Sequence, residues 1–237
     1  MQAFDSLSRD IQQYIYDKGW PSLTNIQSAA IKQVANTDHN LILSAPTASG
    51  KTEAAFIPAL NSVEDWETGL KVLYVSPLKA LINDQFQRIS ELSEYLDIPI
   101  TRWHGEVSQT QKRKVVNQPK GILLITPESI EGMLVNRPGE AEHLFKGVEW
   151  IIIDELHSFL GTERGIHLQS LLQRISRFMQ APRFIAMSAT LNKKDFGYAK
   201  AFFGSPRHTD ILVDRDKNDL FITIDYTSGE AGPFVAR

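Results

Sequence analysis

The sequence of 237 residues contains no cysteine. This absence excludes disulfide frameworks, zinc sites built from thiolates and cysteine nucleophiles. Long apolar runs are also missing, because runs such as 148–153 are far shorter than the roughly 18 residues that a membrane span requires. The first residues lack the basic and apolar regions of a secretory signal. We therefore expect a cytoplasmic protein without a membrane partner.

An excess of positive charge is absent as well. The chain has 25 lysines and arginines against 28 acidic residues, for a formal net charge of −3. No global basic field therefore indicates a nucleic-acid partner, and any such site must be a local groove. The 42% of hydrophobic residues is ordinary for a globular protein and is enough for one large α/β domain or two small ones.

Apolar, strand-like runs alternate with amphipathic helical segments along the chain. Strands are predicted at 41–44, 72–76, 98–102, 122–126, 150–154, 183–188, 211–213 and 220–226. Helices are predicted over 4–15 and 26–34, from residue 51 onward, and over 78–92, 108–116, 128–135, 164–179 and 193–203. This order predicts an α/β fold, with a mostly parallel central sheet covered by helices on both faces.

The segment 45–52, with the sequence APTASGKT, matches a phosphate-binding loop at a strand-to-helix junction. Lys51 would reach the β and γ phosphates and Thr52 would hold Mg²⁺, while backbone N–H groups cradle the phosphates. The cradle residues are Thr47, Ala48, Ser49 and Gly50. The first glycine of the strict pattern is replaced by Ala45. The alternative is an ordinary turn rich in small residues.

Two adjacent carboxylates, Asp154 and Glu155, end another apolar strand. This arrangement suits an acid that holds Mg²⁺, partly through water, beside a second acid that orients and deprotonates an attacking water. We assign the metal to Asp154 and the water to Glu155. The alternative is a solvated acidic pair at a helix start.

A third short segment, 188–190 (SAT), also follows a strand. In open α/β sheets, ligands bind beyond the carboxyl ends of the strands, and all three segments lie at such ends. Their shared location predicts one site for a nucleoside triphosphate and Mg²⁺.

These motifs, in this order, resemble the first RecA-like lobe of a superfamily 2 DEAD/DEAH-box-type helicase. Residues 19–27 (GWPSLTNIQ) resemble its Q-motif region, which implies that the nucleotide is ATP, that Gln27 reads the adenine edge and that Trp20 or nearby groups pack against the base. Thr24 belongs to the same nucleotide-binding segment. The resemblance assigns Lys51, Asp154 and Glu155 to catalysis. The resemblance also implies coupling between the nucleotide state and the binding of the nucleic-acid strand, through His157, Ser188 and Thr190. A lone histidine such as His157 is also a common structural residue.

Further segments resemble those that line the nucleic-acid path of the family. They contain Pro77, Lys79, His104, Gly105, Thr126, Pro127 and Arg164. Pro77 and Pro127 each follow a strand, and the helix N–H groups beyond them suit a backbone phosphate; the alternative is a plain first-turn proline. Residues 154–157 (DELH) and 161–168 are similar to the Lhr (large helicase-related) group. This likeness implies single-stranded nucleic acid as partner, with DNA favoured over RNA.

The domain prediction is one lobe in three parts. Residues 1–36 form N-terminal helices with the Q-motif-like region, 37–206 the RecA-like core, and 207–237 a short β-like exit segment and linker. In this superfamily a second RecA-like lobe supplies arginines to the transferred phosphoryl group. We expect this lobe to be absent from the present sequence and to act on it in cis or in trans. The open alternatives are a regulatory module that binds without efficient hydrolysis, an RNA helicase and another P-loop enzyme such as a small-molecule kinase.

Overall fold

The computed structural model describes residues 2–216 and 219–223. Within them, the strands are β1 (Asn40–Ser44), β2 (Gly69–Val75), β3 (Ile100–Trp103), β4 (Lys120–Ile125), β5 (Trp150–Ile153), β6 (Arg183–Ser188), β7 (Thr209–Asp216) and β8 (Asp219–Thr223). The helices are α1 (Arg9–Asp17), α2 (Asn25–Asn36), α3 (Lys51–Ser62), α4 (Lys79–Tyr95), α5 (Gln109–Asn117), α6 (Pro127–Asn136), α7 (Pro138–Phe145), α8 (Glu163–Ser176) and α9 (Phe196–Ala201).

The described residues form two compact units, of which the first comprises 2–62, 185–216 and 219–223. In this unit β1 lies between β6 and β7 and is parallel to both, and β8 is antiparallel to β7. Every residue of β1 is buried, as expected for a central strand of a covered parallel sheet. The loop that follows β1 leads directly into α3.

The second unit comprises residues 63–184. Its strands run in the order β3, β4, β2 and β5, and all three pairings are parallel. The helix α8 buries Leu168, Leu171, Leu172 and Ile175, so the apolar stripe of this helix belongs to the core, as its spacing predicts. The predicted α/β class with mostly parallel strands is confirmed.

Two elements differ from the sequence prediction. The helix α7 is not predicted, because Arg137 precedes Pro138, and a residue before proline disfavours helical backbone. Pro138 instead begins a new helix, in the first turn where its missing N–H is tolerated. The strand β7, placed by the prediction in an exit segment, pairs along β1 from Asn40 to Ser44 and is part of the sheet of the first unit. The part of the predicted exit segment and linker at 224–237 lies outside the described residues.

No helix in the described part of the chain is both long and apolar enough to cross a membrane.

Candidate functional site

The loop between β1 and α3, predicted to bind phosphates, has a curled backbone. Ala48 and Gly50 have positive φ angles of 63° and 82°, which curl the backbone, and Thr47 and Ala48 are exposed. Lys51 begins α3, and its Nζ donates to the carbonyl oxygens of Ala45 and Pro46, each at 2.6 Å. The lysine side chain thus lies back over the loop, at the N-terminus of a helix of 12 residues. Such a terminus favours anions.

Two residues of the Q-motif-like region contact this loop. Thr24 caps α2 and forms a capping box with Gln27, in which each side chain bonds the other residue's backbone N–H. Thr24 Oγ1 also donates to the Ser49 carbonyl at 3.4 Å, and Gln27 Nε2 to the Gly50 carbonyl at 3.4 Å. The capping box therefore fixes the start of α2 and holds the phosphate loop at the same time.

Gly50 has little room for a side chain. A Cβ atom on Gly50 would lie 2.5 Å from Gln27 Nε2, and Gln27 is only 4% exposed. The positive φ angle of Gly50 would also strain any other residue. Glycine at this position therefore lets the loop approach α2 closely.

Ser188 lies beside the start of the same loop. Its carbonyl accepts from the backbone N–H of Ala45 at 3.2 Å, and its buried hydroxyl donates to the Thr190 carbonyl at 2.8 Å. Thr190 itself is exposed. The first unit therefore brings together Thr24, Gln27, Ser188 and the loop 45–52.

Trp20 lies apart from that group. It contacts Tyr14 edge to face, with ring centroids 6.2 Å apart, and lines a cavity of about 530 Å³ together with Phe4 and Lys32. Neither Thr24 nor Gln27 lines this cavity. The structure therefore does not place Trp20 and Gln27 around one pocket.

In the second unit, Asp154 follows β5 and is only 7% exposed. Its Oδ1 accepts from the backbone N–H of Glu155 at 2.9 Å, and its Oδ2 accepts from the hydroxyl of Tyr74. Both oxygens are thus oriented by fixed donors. Burial of the Tyr74 hydroxyl, together with the negative charge of Asp154, raises the pKa of Tyr74 well above 10.0, so Tyr74 remains a donor at neutral pH.

Glu155 has left-handed backbone, with a φ angle of 49°. Non-glycine residues in this region are uncommon, and they cluster at functional sites. Its Oε2 lies 3.2 Å from Nδ1 of His157, and both side chains are more than a third exposed. The turn thus separates two carboxylates, one buried and held by donors and one open to solvent.

Arg164 connects the segments that follow two strands of the second unit. Its Nη2 donates to the Pro77 carbonyl beyond β2, and its Nε and Nη2 donate to Glu128 Oε1 at 3.1 and 2.6 Å in the first turn of α6. Phe159 lies beneath the guanidinium, at 5.8 Å from ring centroid to Cζ. Arg164 is predicted to contact the nucleic acid. In the structure it also links the segment at Pro77 to the first turn of α6.

The other predicted nucleic-acid residues occupy different environments. Pro77 is buried at the end of β2, whereas Lys79 opens α4, is exposed and pairs with Glu106. His104 is only 5% exposed, and neither ring nitrogen has a hydrogen-bond partner among the described residues. Burial lowers the pKa of His104, which favours the neutral ring. Gly105 is exposed.

Thr126 and Pro127 form a regular helix start. The Thr126 side chain accepts from the backbone N–H of Ser129 at 3.3 Å, and Pro127 occupies the first turn of α6. Both residues are buried. Their local geometry is that of a capped helix with an N-terminal proline.

Two functional contacts escape the sequence analysis. Tyr74 lies within an apolar strand and looks like a core residue. It pairs with Ile152 of β5, which is two residues before Asp154, so Tyr74 and Asp154 lie on the same face of the sheet. Thr24 and Gln27 have the spacing of a capping box, threonine followed three residues later by glutamine. That spacing could have identified the contact at the sequence level.

Comparison with known proteins gives consistent results. The model of the DEAD/DEAH box helicase family matches residues 24–196. The ATP-dependent helicase Lhr-Core of Methanocaldococcus jannaschii is 30% identical over an alignment of 209 positions that covers 81% of this chain and 24% of that protein. Lhr-Core protein 2 of Thermococcus barophilus is 31% identical over an alignment of 264 positions that covers 97% of this chain and 30% of that protein. The chain thus spans less than a third of the length of these relatives.

Among solved structures, the helicase Lhr of Mycobacterium smegmatis bound to ssDNA and AMP-PNP superposes with a TM-score of 0.79 and 27% identity. The match covers 91% of this chain and 29% of that one. The DEAD-box helicase Mss116 gives a TM-score of 0.76 at 20% identity, a likeness of fold alone. Together these matches confirm the RecA-like α/β fold and the similarity to the Lhr group.

Proposed function

We propose that this chain, which belongs to the DEAD/DEAH box helicase family, is the ATP-binding lobe of an ATP-dependent nucleic-acid helicase or translocase. The observation that carries this proposal is the contact of Thr24 and Gln27 with the carbonyls of Ser49 and Gly50. It joins the nucleotide-recognition segment to the phosphate loop in one unit. A loop fixed in this way keeps its backbone donors in place before the ligand arrives, which reduces the entropy lost on binding.

The first unit supplies the phosphate-binding part of the mechanism. In the proposal, backbone N–H groups of 47–52 and the α3 terminus bind the phosphates. The Lys51 ammonium, which donates to the carbonyls of Ala45 and Pro46, would turn to the β and γ phosphates. Gln27 recognises the adenine edge. The predicted role of Trp20 in base packing stays a prediction.

The second unit supplies two carboxylates with different roles. Glu155, which is partly exposed on a left-handed turn, is the proposed base that orients the attacking water. Asp154 is oriented by the backbone N–H of Glu155 and the hydroxyl of Tyr74. Carboxylate and hydroxyl oxygens suit Mg²⁺, and on this chemistry Asp154 and Thr52 are its proposed ligands. When bound, Mg²⁺ neutralises charge on the phosphates.

Single-stranded nucleic acid is the proposed partner of the second unit, with DNA favoured. The M. smegmatis relative is described as bound to ssDNA, and the helix starts at Lys79 and Pro127 offer backbone donors for phosphates. Arg164 would act by bracing the loops at Pro77 and Glu128 as well as by its charge. RNA as the strand and a regulatory module without hydrolysis stay as alternatives, and a cytoplasmic location stays a prediction.

The arginines that stabilise the transferred phosphoryl group are, by resemblance, supplied by a second RecA-like lobe. Such an arginine is worth about 10³–10⁵ in rate. We therefore expect these 237 residues on their own to bind Mg·ATP and to turn it over slowly.

The test is steady-state ATP turnover with Mg²⁺, with and without single-stranded DNA or RNA, with Lys51→Ala as the blank. Joined to the second lobe of a relative, the chain should show strand-stimulated turnover that Glu155→Gln abolishes while ATP binding persists. If Glu155→Gln leaves that turnover unchanged, Glu155 is not the base. If no strand stimulates the joined protein, the nucleic-acid part of the proposal fails.

A further inference from the structure

A cluster of two histidines and one aspartate lies in the first unit, at the end of the sheet away from the phosphate loop. His39 directly precedes β1, His208 directly precedes β7, and Asp210 is the second residue of β7. The parallel pairing of these strands, with Asn40 opposite Thr209, brings the three side chains together. The phosphate loop follows the other end of β1, about 15 Å away along the strand.

The nitrogen and oxygen atoms of the three side chains lie close together. His39 Nδ1 lies 2.7 Å from Asp210 Oδ2, and His208 Nε2 lies 3.3 Å from Asp210 Oδ1. One ligand atom from each residue lies within 4.8 Å of the others. The two imidazole rings meet edge to face, with centroids 4.8 Å apart.

The buried carboxylate of Asp210 has few hydrogen-bond donors among the described residues. Its side chain is completely buried, and Oδ1 accepts no hydrogen bond from the described residues. Oδ2 is approached by His39 and by the Gln33 amide. Among the described residues no lysine or arginine forms an ion pair with it, and its ion-pair partners are His39 and His208. Buried carboxylates are normally paired with a charge or bound to a metal.

We propose that His39, His208 and Asp210 bind a divalent transition-metal ion of the zinc class. Two imidazole nitrogens and one carboxylate oxygen are a recognised zinc ligand set, which water or a fourth protein group completes. Imidazole favours zinc and its neighbours in the first transition row over Mg²⁺ and Ca²⁺. The rings of His39 and His208 are 30% and 23% exposed, so an ion has a route to the buried oxygen.

The expected role of this site is structural. The ion would tie the start of β1 to the start of β7, where Asn40 already bonds the His208 carbonyl through its backbone N–H at 2.8 Å. Binding to the folded state alone stabilises it. The site is independent of the proposed ATPase function, because none of its residues belongs to the nucleotide or nucleic-acid machinery.

The test is calorimetric titration of ZnCl₂ into the metal-free 237-residue chain without nucleotide. We expect one zinc ion per chain, a raised midpoint of thermal unfolding and no comparable effect of MgCl₂. His39→Asn and His208→Asn should each weaken zinc binding about tenfold or more. The matched control is His143→Asn, which removes an exposed histidine of α7 and should leave the affinity unchanged.

Equal zinc affinity in the wild type and both variants would overturn the proposal, as would no zinc binding by the wild type. The cluster would then be a hydrogen-bonded tether between two strands. X-ray absorption of the zinc-loaded wild type needs no variant and covers the case in which a variant does not fold. Scattering from two imidazoles supports the site, and scattering from one or none contradicts it.

Discussion

The hydroxyl of Tyr74, in the middle of β2, donates a hydrogen bond to Oδ2 of Asp154 beyond the end of β5. Tyr74 has no exposed surface and Asp154 has little, so neither group has ready access to water as a substitute partner. The parallel register of β2 and β5 makes this contact possible. The orientation of the proposed Mg²⁺ ligand therefore depends on a core residue.

Tyr74→Phe should destabilise the fold and lower ATP turnover while leaving the ring packing intact. The loss of one donor to a buried carboxylate is worth about 1–3 kcal/mol. Urea unfolding measures the change, and Tyr198→Phe, at an exposed tyrosine, is the control. Equal stabilities of the two variants would show that the Tyr74 hydroxyl contributes nothing.

The same contact predicts a pH dependence. The pKa of Tyr74 is raised well above 10.0 in the folded state, chiefly by burial and then by the charge of Asp154. A raised folded pKa gives stability that is present below the unfolded value and lost as pH rises through the folded value. Above pH 10.0, the free energy of unfolding should therefore fall more steeply in the wild type than in Tyr74→Phe. Parallel curves would contradict this linkage.

Gly50→Ala should weaken both the fold and nucleotide binding. The positive φ angle strains alanine, and its Cβ would meet Gln27 Nε2 at 2.5 Å. Left-handed strain alone is worth about 1–3 kcal/mol. The control is Gly197→Ala, at an exposed helical glycine where a Cβ meets nothing within 4 Å. This control should gain up to about 1 kcal/mol. Thermal unfolding and binding of a fluorescent ATP analogue measure both effects.

Arg164→Ala should destabilise the chain more than Glu128→Ala does. The ion pair between them is largely exposed, so its coupling in a double-mutant cycle should be about 1 kcal/mol or less. Arg164 also bonds the Pro77 carbonyl, and that contact survives in Glu128→Ala only. Urea unfolding of both variants and the double variant measures the difference. Equal losses would show that the Pro77 contact is worth nothing.

The main strands and the phosphate loop could be predicted from the sequence because their signals are local. The run 183–188 is predicted with the bounds of β6, and Lys51 is predicted to open the helix that it begins. Buried parallel strands are continuous apolar runs, and the glycine–lysine–threonine end of the loop has a physical reason at each position. Neither signal needs knowledge of distant contacts.

The missed features depend on pairing between distant strands or on competing local signals. His39 and Asp210 meet only because β1 pairs with β7, across 171 residues of sequence. Tyr74 contacts Asp154 only through the register of β2 and β5. The helix α7 is not predicted, because a proline such as Pro138 normally ends a helix, whereas here it begins one. His104 is predicted to line the nucleic-acid path. Its ring is buried without a hydrogen-bond partner among the described residues, and its sequence context does not indicate this burial.

The most direct test of the central claim is equilibrium binding of Mg·ATP to this chain by calorimetry, compared with Lys51→Ala. The account predicts saturable binding at one site, weakened about tenfold or more when the charge-assisted contacts of Lys51 to the phosphates are lost. Equal affinity in the two proteins, or no binding by the wild type, would contradict the assignment of residues 45–52 as an ATP-binding loop.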